Sequence, residues 1–442
     1  MRYALLMLIP FLAVVSSCEN RVNSPAPAGF NKQPTLLMTL PAGYEAGEVT
    51  FSDDGFQTAV VLRKDGKAYM SINSALSPMY DNVRAPVFHA ASRQYAFVAG
   101  KDGKECIVLN GKEGALYDRI EKPIINSDGQ LVYAAKRDDK WFIVSGEKMS
   151  QGFDSPGPSL YASPDGKRLA FIEHNAATGK VNLRICSSKL REDVRGREYD
   201  QIADVISSAS GSHLAYRVVK NGKQTVVQFD FRQPGCAEKE SRWYDTINNF
   251  ALSNNGEHLA FFGTKIGKHY LVCADNEWPC TDYNMLFDIS VSDNGNVLYT
   301  GAIEYSIIIS LDGKVIADRR ESIDNLTFSG DSNNYLFIAG PCPFIPTDKP
   351  VEFGSLVIHD KESKKYEKIV GPRFTPDNTR VVFRARAAGR RFVVVADTTG
   401  KILREHSPYD AVWDYTFSPD GKYIGYGVRT GRELWWKVEP VK

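Results

Sequence analysis

The sequence predicts an all-β fold, a β-propeller of about ten four-stranded blades closed by an N-terminal strand. Three observations predict it: a recurring hairpin motif, an aromatic at a set distance after the turn, and a Tyr-Asp pair at a set distance before it. The motif is clearest in ASPDGKRLAF from Ala162 and FSPDGKYIGY from Phe417. Weaker copies begin at Leu252, Phe328 and Phe374. The turn position falls at Gly55, Ser92, Gly129, Gly166, Gly211, Gly256, Gly295, Ser332, Asn378 and Gly421. That spacing is the length of one propeller blade. Two smaller propellers are the alternative arrangement.

Each element has a local reason. Asp or Asn before Gly suits a tight turn, because Gly tolerates positive φ and the Asx side chain bonds nearby backbone. Apolar, β-branched runs flank the turn and read as strands. Phe97, Phe171, Tyr216, Phe261, Phe337, Phe383 and Tyr426 recur at one place in the second strand. There they can fill the core shared by stacked sheets. Tyr80-Asp81, Tyr117-Asp118, Tyr199-Asp200, Tyr244-Asp245 and Tyr409-Asp410 recur upstream. Their expected role is structural, with the tyrosines wedged between blades. The last repeat, ending LWWKVEPVK, lacks a fourth strand, and TLLMTLP (35–41) is expected to supply it.

The N-terminus reads as an address. Residues 1–17 combine Arg2 with an apolar stretch too short to span a bilayer comfortably. Val15-Ser16-Ser17-Cys18 resembles a bacterial lipobox. The resemblance implies cleavage before Cys18 and a diacylglycerol on its thiol. It places the protein in the bacterial envelope, on the periplasmic side of the inner or outer membrane. Residues 18–33 read as lipidated Cys and flexible tether, and 34–442 as the propeller.

The hairpin, with its aromatic, resembles the WD-repeat-like blades of the TolB family and related envelope propellers. The resemblance spans about residues 34–442. It implies fold rather than function, and the α/β domain that precedes the TolB propeller is missing. Prolyl-oligopeptidase-type enzymes carry similar blades, but no G-x-S-x-G occurs here.

Composition narrows the partners. A net charge of +1 over 442 residues speaks against nucleic acid. No cofactor and no metal site is expected. Charge gathers in the turns between second and third strands, at Lys136, Arg137, Arg384, Arg386, Arg390, Arg391, Arg429 and Arg432. These are the candidates for a face binding an anionic envelope polymer or a protein. Phe344 and Phe353, in a proline-rich insertion (340–354), are candidate partner contacts. Cys273 and Cys280 flank a short turn and form the candidate disulfide; Cys186 with Cys236 is a second option. His213 and His258 share a repeat position and are expected at a strand start on the surface. The leading expectation is a non-enzymatic, lipid-anchored binding scaffold. The alternative is a polysaccharide lyase or hydrolase with its site in the central channel.

Overall fold

The computed structural model describes residues 29–155, 160–163, 166–190, 193–233, 238–274, 276–304, 306–319, 321–340 and 353–442. Among these, all regular structure is strand, arranged as ten blades. In chain order the second strands of blades 1 to 5 are Thr58–Lys64, Gln94–Lys101, Leu131–Arg137, Arg168–Asn175 and His213–Lys220. Those of blades 6 to 10 are Leu259–Lys265, Val297–Ile303, Tyr335–Ala339, Arg380–Ala387 and Tyr423–Thr430. Each pairs antiparallel with the strands before and after it, and an edge strand, often of only two residues, completes the blade.

Burial explains the sequence pattern. Second strands such as Thr58–Lys64 and Val297–Ile303 are buried almost throughout, because a blade is covered on both faces. They therefore read as continuous apolar runs rather than alternating ones. Ten hydrophobic clusters result, one at every junction between successive blades. The tyrosines of the Tyr-Asp pairs stand in these junctions, edge-on to the second-strand aromatics. Tyr80 lies 6.3 Å from Phe97, Tyr244 5.4 Å from Phe261 and Tyr366 5.6 Å from Phe383. Several tyrosines also donate to a carboxylate on the outer strand of the blade they enter: Tyr80 to Glu113 at 2.9 Å, Tyr199 to Glu240 at 2.7 Å.

Inner strands bend. A β-bulge interrupts the first strand of eight blades. Carbonyls near these bulges are bonded by side chains from the preceding blade. Arg217 donates to Ile247 O at 2.7 Å, and Asn249 donates to Phe287 O at 3.0 Å.

The ring closes as expected. Thr35–Thr39 pairs antiparallel with Glu433–Pro440 as the fourth strand of blade 10, Thr35 opposite Trp436 and Thr39 opposite Glu433. Just upstream, Phe30 and Asn31 plug the junction of blades 10 and 1. Asn31 N bonds Asp54 O at 2.7 Å, its amide Nδ2 bonds Gly55 O at 3.1 Å, and Trp436 Nε1 donates to Asn31 O at 3.0 Å. Glycines make room for the large rings. A Cβ at Gly427 would sit 2.2 Å from Phe51, and one at Gly425 2.2 Å from Trp436.

Candidate functional site

The first-to-second-strand turns, with Gly55 and Gly421, define one end of the ring, called here the turn face. The second-to-third-strand hairpins define the opposite, hairpin face. These hairpins are tight because their strands pair up to the residues flanking two turn residues, Lys64 with Lys67 and Lys101 with Lys104. Both turn residues adopt positive φ: Asp65 50° and Gly66 73°, Asp102 53° and Gly103 74°, Asn221 51° and Gly222 73°. That backbone twist matches the strands it joins.

Cations of the hairpin face stand in a band of ion pairs. In blades 1 to 4 the lysine closing the hairpin meets the Asp of the following aromatic-Asp pair: Lys67 with Asp81 at 2.7 Å, Lys104 with Asp118 at 3.3 Å, Lys140 with Asp154 at 2.8 Å and Lys180 with Asp200 at 2.5 Å. Lys223 with Asp245 and Arg390 with Asp410 repeat the arrangement. In five cases the second carboxylate oxygen accepts the backbone N–H of the next blade's hairpin. Asp81 takes Asp102 N at 2.9 Å, Asp118 takes Asp138 N at 3.0 Å, and Asp200 takes Asn221 N at 2.7 Å. Asp245 takes Ile266 N and Asp410 takes Gly431 N, both at 2.7 Å. One carboxylate thus ties a lysine or arginine of its own blade's hairpin to the next blade's turn. The sequence marked these aspartates as structural but could not show the link, because its far end belongs to another repeat.

This link has a pH signature. The Lys67 ammonium and the Asp102 N–H hold the Asp81 carboxyl below its ordinary range. The Asp138 N–H and Lys104 do the same for Asp118, and the Gly431 N–H and Arg390 for Asp410. Lys180 and Lys223 lower Asp200 and Asp245. A carboxyl ionising at lower pH in the fold than in the unfolded chain stabilises fully above its ordinary value, 3.8. That stabilisation disappears as pH falls through the depressed value. The melting temperature is therefore expected to fall on acidification below that point. A variant with all five aspartates changed to Asn is expected to show a shallower fall; an unchanged slope refutes the link.

The remaining candidates find separate places. Arg384 donates weakly to Val412 O at 3.5 Å and lies 3.7 Å from Asp414. Arg386 pairs with Glu367 at 3.2 Å. Arg391 donates to Asp410 O at 2.7 Å, and Arg432 Nε donates to Leu40 O at 2.9 Å, fastening the closing strand. Lys136 meets Asp139 at 3.2 Å, and the Arg137 guanidinium sits 4.8 Å over the Tyr117 ring. Arg429 lies close enough to Asp410 to help depress its carboxyl. Phe353 is exposed. Phe344, like Cys18 and Cys236, lies outside the described residues.

The Cys273–Cys280 bond is not formed. Both thiols are buried and free, Cys273 Sγ near Gly295 O and Cys280 Sγ near Trp278 O. Cys273 pairs with Asn276, whereas Cys280 N bonds His269 O, four positions back along the third strand. At about 3.3 Å per residue, that offset is roughly twice what a disulfide spans. His213 also departs from expectation. It begins a strand but is buried, against the place a Cβ on Gly256 would take at 2.2 Å. Arg232 lies 3.2 Å from its Nε2 and the Asp230 carboxylate 3.5 Å from the same atom, while Ser212 Oγ stands 2.9 Å from Nδ1.

Two polar groups were missed. On the inner strands of blades 7 and 8, loss of surrounding water holds the half-buried Asp288 and the more exposed Asp324 above the ordinary carboxyl range, and Asp324 raises Asp288 further. Among the described residues no group of three or more His, Cys, Asp or Glu is placed to hold a metal. The second group lies between blades 3 and 4. Glu173 and Asn182, opposite one another on adjacent strands, are 8% and 3% exposed. Arg184 and Arg195 bond the Glu173 carboxylate at 3.0 and 3.1 Å. The signal was present: seven residues after the turn, blade 4 has Glu173 where blades 1, 2 and 5 have Leu62, Ala99 and Val218.

No protein-family model matches the sequence, and no curated protein sequence matches it. Similar solved structures include the Dos1 propeller, at 11% identity over 90% of this chain and 92% of that one, TM-score 0.40. TolB from Acinetobacter baumannii aligns at 14% identity over 55% of this chain and 66% of its own, TM-score 0.29. An oligogalacturonate lyase in complex with manganese aligns at 11% identity over 73% and 96%, TM-score 0.36. At such identities the likeness concerns the propeller fold alone.

Proposed function

We propose that the chain is a non-enzymatic binding scaffold of the bacterial cell envelope, anchored by lipid on Cys18. Its hairpin face is turned away from the membrane, toward a protein or an envelope polymer. One observation carries this orientation. Gly29–Lys32 is held on the turn face, with Asn31 bonded to Asp54 and Gly55 and Lys32 paired with Asp420 at 3.1 Å. The residues between Cys18 and Gly29 reach at most about 40 Å. A lipid on Cys18 keeps the turn face near the bilayer. Changing Cys18 to Ser is expected to release the protein from the membrane fraction. A photo-crosslinking side chain at Asn221 is expected to capture envelope material, and one at Lys422 is not. The reverse pattern overturns the orientation, and membrane retention of the Ser variant overturns the anchor. A lyase or hydrolase in the channel is the second reading, drawing on Asp288 and Asp324.

A further inference from the structure

We infer that the cleft between blades 3 and 4, on the hairpin side, is a binding site for one sugar ring of a neutral saccharide. This deepens the envelope-polymer side of the proposed function. Three independent observations meet there.

The first is a cavity of about 320 Å³ lined by Lys140, Asp154, Glu173, Asn182, Arg195 and Glu198. That volume lies at the small end of ligand pockets, about 300–1,000 Å³. The second is an orphaned group. Asn182 is 3% exposed, yet its Oδ1 has no hydrogen-bond partner. A buried acceptor left unpaired costs stability, so a donor brought by a ligand gains what the fold leaves unmade. The third is departure from the repeat. This junction replaces apolar residues with Glu173 and Asn182. Its aromatic is Phe153 where most other blades have Tyr, and its hairpin is longer, with Ala176, Ala177, Thr178 and Gly179 between Asn175 and Lys180. Departures from a repeat's own pattern are expected at functional or strained sites.

Charge decides the ligand class. The three carboxylates of the lining stand against Lys140, Arg195 and the Arg184 that bonds Glu173, so the charges balance and neither an anion nor a cation is favoured. The carboxylates are already engaged: Asp154 by Lys140 at 2.8 and 2.9 Å, Glu173 by two arginines, and Glu198 by Asn175 Nδ2 at 2.8 Å. Two of the three are neutralised by cations, and the third, Glu198, lies exposed at the rim. A hydroxyl both donates and accepts without charge, and so suits a wall of engaged ions beside one open acceptor.

Ligand-detected NMR with millimolar N-acetylglucosamine or glucose on the full chain tests this, with inorganic phosphate and an alkyl ammonium as comparators. Binding of at least one sugar, and of neither ion, is expected. Asn182→Leu is expected to weaken it about tenfold or more while the melting temperature holds or rises, because the unpaired acceptor is gone. A signal from phosphate or ammonium alone, no signal from either sugar, or undiminished sugar binding by the Leu variant overturns the site. None of these results touches the membrane orientation, which the crosslinks decide.

Discussion

Trp436→Ala is expected to destabilise the ring by about 3–5 kcal/mol, the range for truncating a large buried aromatic. Trp436 is 1% exposed and stands where the chain's two ends meet. Its ring is edge-on to Phe30 at 6.0 Å and occupies the space that Gly55 and Gly425 leave by lacking a Cβ. Its indole N–H holds Asn31 O. Alanine would open a cavity, free that carbonyl and unseat the Phe30–Asn31 plug together. Denaturant unfolding with unchanged slope reads the loss directly. Trp435→Ala, at the neighbouring and less buried position, is the control and is expected to cost clearly less. Equal losses from both, or none from Trp436→Ala, would show that the seam does not hold the ring shut. Deleting residues 29–40 is expected to go further and remove cooperative unfolding, since it exposes a whole strand edge.

Glu173→Ala carries the second large expected effect, about 3–5 kcal/mol, because removing one partner strands a buried charge. Arg184 is 6% exposed and stacks near Phe153 and Phe171, with the guanidinium 6.0 and 5.6 Å from the ring centres. Without the carboxylate its charge loses the neutralising group 3.0 Å away. The double change Glu173→Leu with Arg184→Met restores the apolar character of other blade junctions. It is expected to be neutral or stabilising, since buried ion pairs seldom exceed their desolvation cost. If the double variant is as unstable as the single one, the pair is needed for folding. A stable double variant means that the polar cluster is kept for another reason, and the sugar cleft supplies one.

The repeat carried most of the architecture. Asp-Gly turns, second-strand aromatics and the missing fourth strand of the last blade are local signals, and a local signal survives in a single sequence. Thr35–Thr39 was identifiable as the closing strand because Glu433–Pro440 visibly lacked a partner. Features that depend on two blades at once were hidden. Asp81 looks like a turn residue until Lys67 and Asp102 N are seen on either side of it. The Lys and Arg of the hairpins looked like a positive face because the matching aspartates lie beyond the third and fourth strands, at the far end of the same repeat. Cys273 and Cys280 looked close by chain count, but an antiparallel pair places neighbours by register, and Cys280 lands opposite His269. Glu173 was detectable by aligning the second strands, which shows one charge in an apolar column.

The seam also sets an order of events during folding. Asn31 O and Trp436 Nε1, which bond each other, are 405 positions apart. The contacts within blade 1 are local in sequence and therefore quick to form, so blade 1 can assemble while its flank still faces solvent. The strand made earliest must wait for the one made last, and joining such distant segments carries the largest loop-closure entropy in the molecule. Ring completion is then a single terminal step. Before it, the open ring exposes the unpaired edge of Glu433–Pro440 and the uncovered side of Phe51, which makes that interval the one most open to association through a strand edge.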